Sequence, residues 1–365
     1  MERKFVSGVV LLAALSCCAA YGSIAPPAVT GPTIFAAAGQ AIPVAAVVGG
    51  EPAEVTLAWN GGDVVMDRDT SGLWSAAIPA GAVKGRSLMC QVIAWYDGGS
   101  LASQVYTVNI SPSIPVVAAK AMKVTRSVVV SRPWGSGDDA FGRDRPINGA
   151  TEIPASIAAD ASGIHVLDTV NRRVLSFGKD GRLAGATGLR TSTASDLIPS
   201  AGGLLVVDQI GDEILQVAAN GRVHSGALGA RGLALGTKFA VDAAGAVGAA
   251  APTVQVKANS VLVGLANGKA VEVSLGADVI DAAEVAVDGR GATWLLVGIA
   301  VDDGVGYALV RVQPGGRSAG VARISTFIPG DTTRRMVGTD NGALLLEGDS
   351  SEGRVVSFQL AGGVN

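Results

Sequence analysis

The feature that most constrains the fold is an internal repeat in the second half of the chain. The stretch GIHVLDTVNRRVLSFGKDGRL begins at Gly163 and aligns with GLLVVDQIGDEILQVAANGRV, which begins 40 residues later at Gly203. Weaker copies follow in EVAVDGRGATWLLV with ALVRVQPGGR, in DNGALLLEGDSSEGRVVSFQLAGG and, most degenerate, in FAVDAAGAVGAAA with VLVGLANGKAVEVSL. A unit this short cannot bury its apolar surface alone, so the copies are expected to stack on one another.

The hydrophobic pattern predicts an all-β chain. Short runs of Val, Leu, Ile and Ala alternate with Gly, Asn-Gly and Asp-Gly turns at intervals of roughly ten residues, and helical periodicity is nearly absent. Three or four strands in a repeat of this length are typical of a blade of a β-propeller. The number of strand-like segments after residue 116 favours five blades.

The N-terminal half has a different organisation. Residues 24–110 contain about seven short strand-like segments, a spacing typical of a β-sandwich. The region that includes the Trp-x-Ala-x-Ile-Pro series from Trp74 also resembles bacterial immunoglobulin-like or fibronectin-type domains of secreted proteins. This resemblance implies a fold and says almost nothing about a ligand.

A boundary follows the predicted sandwich. Pro112 and Pro115 lie close together and favour an extended connector. We therefore expect a linker over 111–120 and a propeller over 121–365. The segment from Met122 is a strand without a blade of its own, and the last repeat lacks an outer strand, so 122–131 and 355–365 are predicted to share one sheet.

One copy of the repeat resembles a known family. The stretch IPASIAADASGIHVLDTVNRRVLSFGKDG is similar to the NHL repeat, whose pattern is approximately Pro-x-x-Ile-Ala-x-Asp-x-x-Gly, an apolar strand, Asp-Thr-x-Asn-x-Arg-Val and Asp-Gly. The resemblance extends over residues 150 to 360 but fades after the first copy, where Asn171-x-Arg173 is replaced by Gly211-x-Glu213. Because NHL propellers commonly have six blades, five or six blades are both expected.

The resemblance implies a structural role for Asp168. In NHL repeats the Asp-Thr-x-Asn-x-Arg group ties the turn between the second and third strands, because a carboxylate accepts bonds from backbone N–H groups and from Arg. Asp168, Asp208 and Glu347 recur at one position of the repeat, whereas a catalytic group is needed once. We interpret all three as scaffolding; the alternative is that Asp168 belongs to a site.

The first 22 residues form a predicted signal peptide. Basic residues near the start precede an apolar run that is shorter than the roughly 20 residues of a membrane-spanning helix. Leu-Ser-Cys-Cys within this run resembles, imperfectly, the lipobox of bacterial lipoproteins, which makes Cys17 and Cys18 candidate lipidation sites. The alternative is an apolar signal core that contains cysteines. Either way, we expect a secreted or cell-envelope protein.

Composition excludes several classes of function. The net charge is −3 and no basic cluster occurs, which argues against nucleic acid and anionic membrane surfaces, so a membrane is expected only through an N-terminal lipid. The mature chain keeps only Cys90, predicted to be a buried, inert thiol. His165 and His224 are too few for a three-histidine zinc site, and the nucleotide-binding loops and the Gly-x-Ser-x-Gly motif are missing. No cofactor or metal is predicted, and calcium stays open.

Three functions are compatible with this sequence. The favoured one is a non-enzymatic extracytoplasmic binding or scaffold protein whose propeller face recognises a protein or an envelope polymer. The alternatives are a propeller-scaffold enzyme, such as a metal-dependent lyase or ester hydrolase, and a purely structural envelope component. Few histidines and few unrepeated carboxylates favour the first.

The predicted binding face carries the turns between the second and third strands of each blade. The third full copy has seven extra residues between Gly291 and Leu309, and these predict a long loop over 299–307. Arg172, Asp302 and Asp303 are the candidate partner contacts. The alternative is a tolerated surface insertion, because long loops cost little closure entropy.

Overall fold

The computed structural model describes residues 26–30, 35–145, 151–228, 238–241, 247–249, 254–265, 267–302, 304–324 and 332–361. The chain divides into two compact units, residues 1–116 with 262–272, and residues 117–261 with 273–365. The described residues are all-β, apart from a short 3-10 helix at Ala80–Ala82. None of their helices is long and apolar enough to cross a membrane.

The described strands of the first unit up to residue 111 form two sheets. Its strands up to residue 111 are β1 Ala28–Thr30, β2 Phe35–Ala37, β3 Ile42–Val47, β4 Glu54–Trp59, β5 Gly62–Val65, β6 Asp67–Arg68, β7 Leu73–Ile78, β8 Ser87–Tyr96, β9 Gly99–Ala102 and β10 Tyr106–Ser111. One sheet has the order β1-β3-β7-β6, and the other has the order β2-β10-β8-β4-β5, with β9 paired to β8. All described pairs are antiparallel except β2 with β10.

One hydrophobic core lies between these two sheets. Along β8, Leu88, Cys90, Val92 and Ala94 are buried, whereas the residues between them are more exposed. This alternation is what a strand with one inward face requires. Val44 from the other sheet belongs to the same core, so each sheet covers the apolar face of the other.

The remaining strands follow along the chain. They are β11 Val116–Ala121, β12 Val124–Pro133, β13 Ser156–Ala159, β14 Ile164–Asp168, β15 Arg173–Phe177, β16 Leu183–Gly188, β17 Asp196–Ser200, β18 Gly203–Asp208, β19 Glu213–Val217, β20 Val223–Ala227, β21 Phe239–Val241, β22 Val247–Ala249, β23 Val254–Val256, β24 Ser260–Gly264, β25 Ala270–Ser274, β26 Val279–Val287, β27 Thr293–Val301, β28 Gly304–Val312, β29 Ala319–Ile324, β30 Met336–Gly338, β31 Gly342–Gly348 and β32 Glu352–Leu360.

The two clearest copies of the repeat form the same antiparallel sheet. Strands β13 to β16 pair in chain order, and so do β17 to β20. Asp168 pairs with Arg173 in the first sheet, and Asp208 pairs with Glu213 in the second. Each of these two copies of the repeat therefore forms one complete four-stranded sheet.

The glycine that begins each copy is required by packing. Gly163 has φ 151°, and a Cβ there would lie 1.9 Å from the carbonyl oxygen of Phe177. Gly203 has φ 125°, and its Cβ would lie 2.3 Å from the carbonyl oxygen of Val217. Both glycines let the second strand approach the third without a steric clash.

Both faces of the first of these sheets are buried. All five residues of β14 are buried. Val166 packs in one core with Leu344 and Val355 of the sheet that ends the chain, and Leu167 packs in another with Val206 of the following sheet. The sheet is thus covered on each side by a neighbour, as expected for stacked repeats.

The predicted joining of two distant segments is confirmed. Strand β12 pairs antiparallel with β32 in a sheet of order β12-β32-β31-β30, with Val124 opposite Leu360. A strand from the start of the second unit therefore completes the sheet formed at its end.

Two segments that the sequence predicts as a linker and a loop contain strands. The predicted linker over 111–120 contains most of β11, which pairs parallel with β29. The predicted loop over 299–307 is a strand hairpin, since β27 ends at Val301 and β28 begins at Gly304. The seven extra residues indicated a loop, but the added chain pairs across the hairpin, with Val301 opposite Gly304, and lengthens both strands.

We predict that the β12–β32 pairing stabilises the second unit. Val130 and Val128 lie on the same strand, with exposed fractions of 1% and 47%. Val130→Ala should lower the free energy of unfolding by about 2 kcal/mol, because it leaves a cavity in the core. Val128→Ala should change it by less than about 0.5 kcal/mol. Denaturant titration of both variants tests this, and equal effects would contradict it.

We also predict that Cys90 is unreactive in the folded protein. Burial raises the pKa of the Cys90 thiol to about 11, so very little thiolate is present at pH 8. An aromatic disulfide reagent should label this thiol only after denaturant is added. Rapid labelling of the native protein would show that the strand opens or that the thiol is accessible.

Candidate functional site

The turn between β14 and β15 encloses a buried carboxylate. Asp168 has no exposed surface. It accepts hydrogen bonds from the Gly142 backbone N–H at 3.0 Å, from Asn171 Nδ2 at 2.9 Å and from Arg173 Nε at 3.1 Å. Charged and backbone donors thus surround both oxygens, which leaves Asp168 little access to a substrate.

The same turn binds the segment that precedes the first repeat. Arg173 Nη2 donates to the carbonyl oxygens of Gly137 at 2.7 Å and Ala140 at 2.6 Å. Asn171 Nδ2 also donates to the carbonyl oxygen of Gly135 at 2.9 Å. Asp168 and Arg173 therefore fix a loop that lies outside their own sheet.

This loop also contacts the turn between β31 and β32. Trp134 Nε1 donates to the carbonyl oxygen of Asp349 at 2.9 Å, and Arg143 Nη1 donates to the same oxygen at 3.2 Å. The guanidinium of Arg143 lies 5.3 Å from the centre of the Trp134 ring. Two turns of different sheets are thereby held on one surface. We call residues 135–139, 169–172 and 349–351 the turn surface.

Short-range hydrogen bonds hold the Asp349 turn as well. Asp349 Oδ1 accepts from the Ser351 backbone N–H at 2.8 Å and from Ser351 Oγ at 2.6 Å. These bonds, with a smaller contribution from Arg354, keep the pKa of Asp349 well below its usual range. Asp349 is therefore ionised at neutral pH.

Arg172 projects from the turn surface. It is exposed and has φ 53°, and Asp212 in the equivalent turn of the next sheet has φ 51°. The carbonyl oxygens of Arg172 and Asp212 accept from Leu189 N–H at 2.7 Å and from Leu228 N–H at 3.0 Å. Equivalent backbone hydrogen bonds thus hold the backbone of these two unlike residues in the same left-handed conformation.

The other two repeated carboxylates are buried with different partners. Asp208 accepts from the Gly211 backbone N–H at 2.8 Å and from Thr193 Oγ1 at 2.8 Å. Glu347 forms an ion pair with Arg126 of β12. The repeat therefore keeps the position of the acid near the end of a strand but not the identity of its donors.

Asp302 is the other predicted partner contact that the structure describes. Asp302 is exposed in the turn between β27 and β28. Within the described part of the chain, no hydrogen bond or ion pair joins it to Arg172. Asp303, Cys17 and Cys18 lie outside the described residues.

A buried ion pair that sequence reasoning missed joins three sheets. Arg334 donates through Nε and Nη2 to the two oxygens of Asp196, at 2.9 and 2.7 Å. Asp196 also accepts from Ser156 Oγ at 3.0 Å and from the Phe239 backbone N–H at 2.8 Å. Ser156, Asp196 and Phe239 begin β13, β17 and β21, so the ion pair lies where the first strands meet.

A second buried acid lies on β26. Glu284 Oε2 accepts from Lys238 Nζ at 2.7 Å. Burial raises the pKa of Glu284, and the nearby charges of Lys238 and Arg335 oppose that rise. Neither ion pair has a sequence signature, because each partner comes from a separate repeat.

His165 is buried among hydroxyl and carboxylate groups. Its Nδ1 lies 2.9 Å from Ser176 Oγ, and its Nε2 lies 3.3 Å from Ser162 Oγ and 3.2 Å from Asp160 Oδ1. A catalytic triad needs the acid and the serine on opposite ring nitrogens. Here Ser176 faces Nδ1, whereas Asp160 and Ser162 face Nε2, so a serine and an acid lie on opposite nitrogens but in the reverse of the usual assignment. Among the described residues, no cluster of three or more His, Cys, Asp or Glu is arranged to hold a metal ion.

Comparisons with known proteins do not identify a family. No family model and no curated protein matches the sequence. Among solved structures, fibronectin(III)-like modules of Clostridium thermocellum CbhA are 14% identical, with a TM-score of 0.20, over 45% of this chain and 95% of that one. A DUF4221 family member from Bacteroides vulgatus is 8% identical, with a TM-score of 0.24, over 67% and 100%. The ICAM-5 D1–D4 ectodomain is 9% identical, with a TM-score of 0.18, over 92% and 74%. Likenesses this weak establish neither fold nor function.

We predict that Asp168 stabilises the fold and does not itself contact a partner. Asp168→Ala leaves Arg173 and the Gly142 N–H without their acceptor, which should cost about 1–3 kcal/mol. Asp138→Ala, at an exposed position nearby, is the control and should be neutral. Thermal and denaturant unfolding measure the effect. Unchanged stability with loss of binding would place Asp168 in a site.

A pH-dependent prediction concerns Glu284. Its raised pKa means that the folded protein holds more protons than the unfolded chain between the ordinary and the raised value. The contribution of Glu284 to stability is therefore largest at low pH and falls as the pH rises through that range. Unfolding free energies of wild type and Glu284→Gln, measured from pH 4 to 8, should differ in slope in this direction. An unchanged slope would contradict it.

Proposed function

We propose that this chain is a non-enzymatic extracytoplasmic binding protein. In this proposal an immunoglobulin-like or fibronectin-type β-sandwich precedes an NHL-type β-propeller of five or six blades. The turn surface then binds a protein or an envelope polymer. The predicted signal peptide would direct the chain to the secreted or envelope fraction, with or without a lipid at Cys17 or Cys18.

Sheet organisation supports the two proposed folds. Two sheets around a single core are typical of a β-sandwich. In the second unit, the repeated four-stranded sheets stack face to face, and their first strands meet around Asp196 and Arg334. Stacked sheets that converge on their first strands are the arrangement of propeller blades.

The observation that carries the functional proposal is the support given to the turn surface. Asp168 and Arg173 hold residues 135–140, and Trp134 and Arg143 hold the Asp349 turn. Exposed polar turns fixed by buried ion pairs form a rigid surface that loses little conformational entropy on binding. The best-placed carboxylate, Asp168, is used for this support and not for chemistry.

A propeller-scaffold enzyme is the second candidate, and one observation favours it. Glu284 is a buried acid with a raised pKa beside Lys238, which is a feature of many general acids. For the proposed lyase or ester hydrolase, metal analysis of the purified protein and assays of Glu284→Gln would provide the test. A tightly held stoichiometric zinc or calcium ion would favour the enzyme over the binding protein.

The binding proposal is tested at Arg172. Arg172→Gly removes the side chain while allowing the observed φ of 53°, so the fold should be retained. Partner recovery from envelope extract should fall at least about tenfold if Arg172 makes a charged contact. Arg182→Ala is the control, because Arg182 is an exposed arginine in the turn between β15 and β16, outside the turn surface. Equal recovery by both variants would show that the surface is wrongly assigned.

A second variant tests the hairpin that replaces the predicted loop. Removing Ala300, Val301, Gly304 and Val305 deletes two residue pairs and keeps the register between Ile299 and Gly306. Under the proposal, this variant should fold and lose partner recovery if Asp302 contributes to binding. Because the variant keeps Asp302 and Asp303, retained recovery would show that the length of the hairpin is not required for binding.

A further inference from the structure

A cavity in the second unit is not used by the proposed binding surface. Its volume is about 640 Å³, which is within the range of small-molecule sites. It is lined by the connection between β11 and β12, by residues 275–277 and by parts of β27, β28 and β29. Most of the lining residues are Ala, Val, Leu, Ile and Met, and Lys123 and Arg323 are among the rest.

The floor of the cavity is one face of a sheet. Ala308 pairs with Arg323, and Val321 pairs with Ala121. Paired residues share a face, and residues two apart on a strand share it too, so Ala121, Val321, Ala308 and Arg323 lie on the same side. Small alanines on this face leave space that longer side chains would fill.

Backbone hydrogen bonds fix the segments that line the sides of the cavity. The Met122 N–H donates to the Val321 carbonyl oxygen at 2.9 Å, and the Ala361 N–H donates to the Lys123 carbonyl oxygen at 3.0 Å. On the other side, the Leu275 N–H donates to the Asn259 carbonyl oxygen at 3.1 Å. The cavity is therefore bounded by paired backbone and does not need a loop to close.

The charged residues that line the cavity are basic. Lys123 and Arg323 are exposed at the cavity, and none of its described lining residues is acidic. Mostly aliphatic lining residues together with two cations match a ligand that has an aliphatic body and one anionic end.

We propose that this cavity binds a free single-chain aliphatic carboxylate. The hydrocarbon chain lies over the sheet face that carries Ala121 and Val321, and burial of its methylene groups supplies most of the affinity. The carboxylate lies at the opening between Lys123 and Arg323, where both cations donate hydrogen bonds to it. This site is separate from the turn surface and does not depend on the function proposed for it.

The charge requirement is tested with dodecanoate and the purified chain, by calorimetric titration below the micelle concentration. Dodecanoate should bind at one site per chain, and dodecan-1-ol and acetate should each bind at least about tenfold more weakly. Arg323→Gln and Lys123→Gln should each weaken dodecanoate binding by about tenfold. Lys120→Gln, an exposed lysine of β11 outside the lining, is the control and should bind as wild type.

The cavity requirement is tested by filling it. Ala121→Trp places a large ring on the cavity face at an exposed position and should abolish dodecanoate binding, whereas Ala118→Trp on the same strand should not. Unfolding temperatures like that of wild type confirm that both variants fold. The proposal is wrong if wild type shows no saturable binding, if dodecan-1-ol binds as tightly as dodecanoate, or if neither the glutamine nor the tryptophan changes at the cavity reduce binding.

Discussion

Burial of both faces of the repeated sheets is the constraint on which the second unit depends. Strand β14 has no exposed residue, because Val166 faces one neighbouring sheet and Leu167 faces the other. A four-stranded sheet with two apolar faces is unstable in water unless other sheets cover it. The pairing of β12 with β32 provides cover at the point where the start and the end of the unit meet. Loss of one sheet would therefore expose the next.

The buried ion pairs lie where stacked sheets and loops bring together polar groups that need hydrogen-bonding partners. Asp196 and Arg334 join the first strands of three sheets, and Asp168 and Arg173 join a sheet to the loop before it. Breaking such a pair costs more than an exposed ion pair does, because the remaining charge stays buried. The proposed binding surface is consequently held by interactions whose removal would also destabilise the fold. This is why its test uses exposed residues such as Arg172.

Much of the local structure could be predicted from particular residues. The alternation around Cys90 indicated its inward face, and the repeat from Gly163 to Gly203 indicated two equivalent sheets. The hairpin after Ile299 could not be predicted in the same way, because Asp-Asp-Gly is compatible with a loop or a two-residue turn. The Asp196–Arg334 pair also escaped prediction, since 138 residues separate its members and neither lies in a motif. The NHL resemblance and the blade number stay predictions.

The sequence by itself determined that the described chain is all-β, where the repeat lies and which strand positions are apolar, because strands show their faces with a period of two. Tertiary structure decided which strands pair across the whole second unit, which acids meet which arginines, and where a cation-lined apolar cavity forms. Those features depend on contacts between residues far apart in the chain. Local periodicity carries no information about such contacts, because many pairings bury the same apolar faces and only packing of the complete set of sheets selects one.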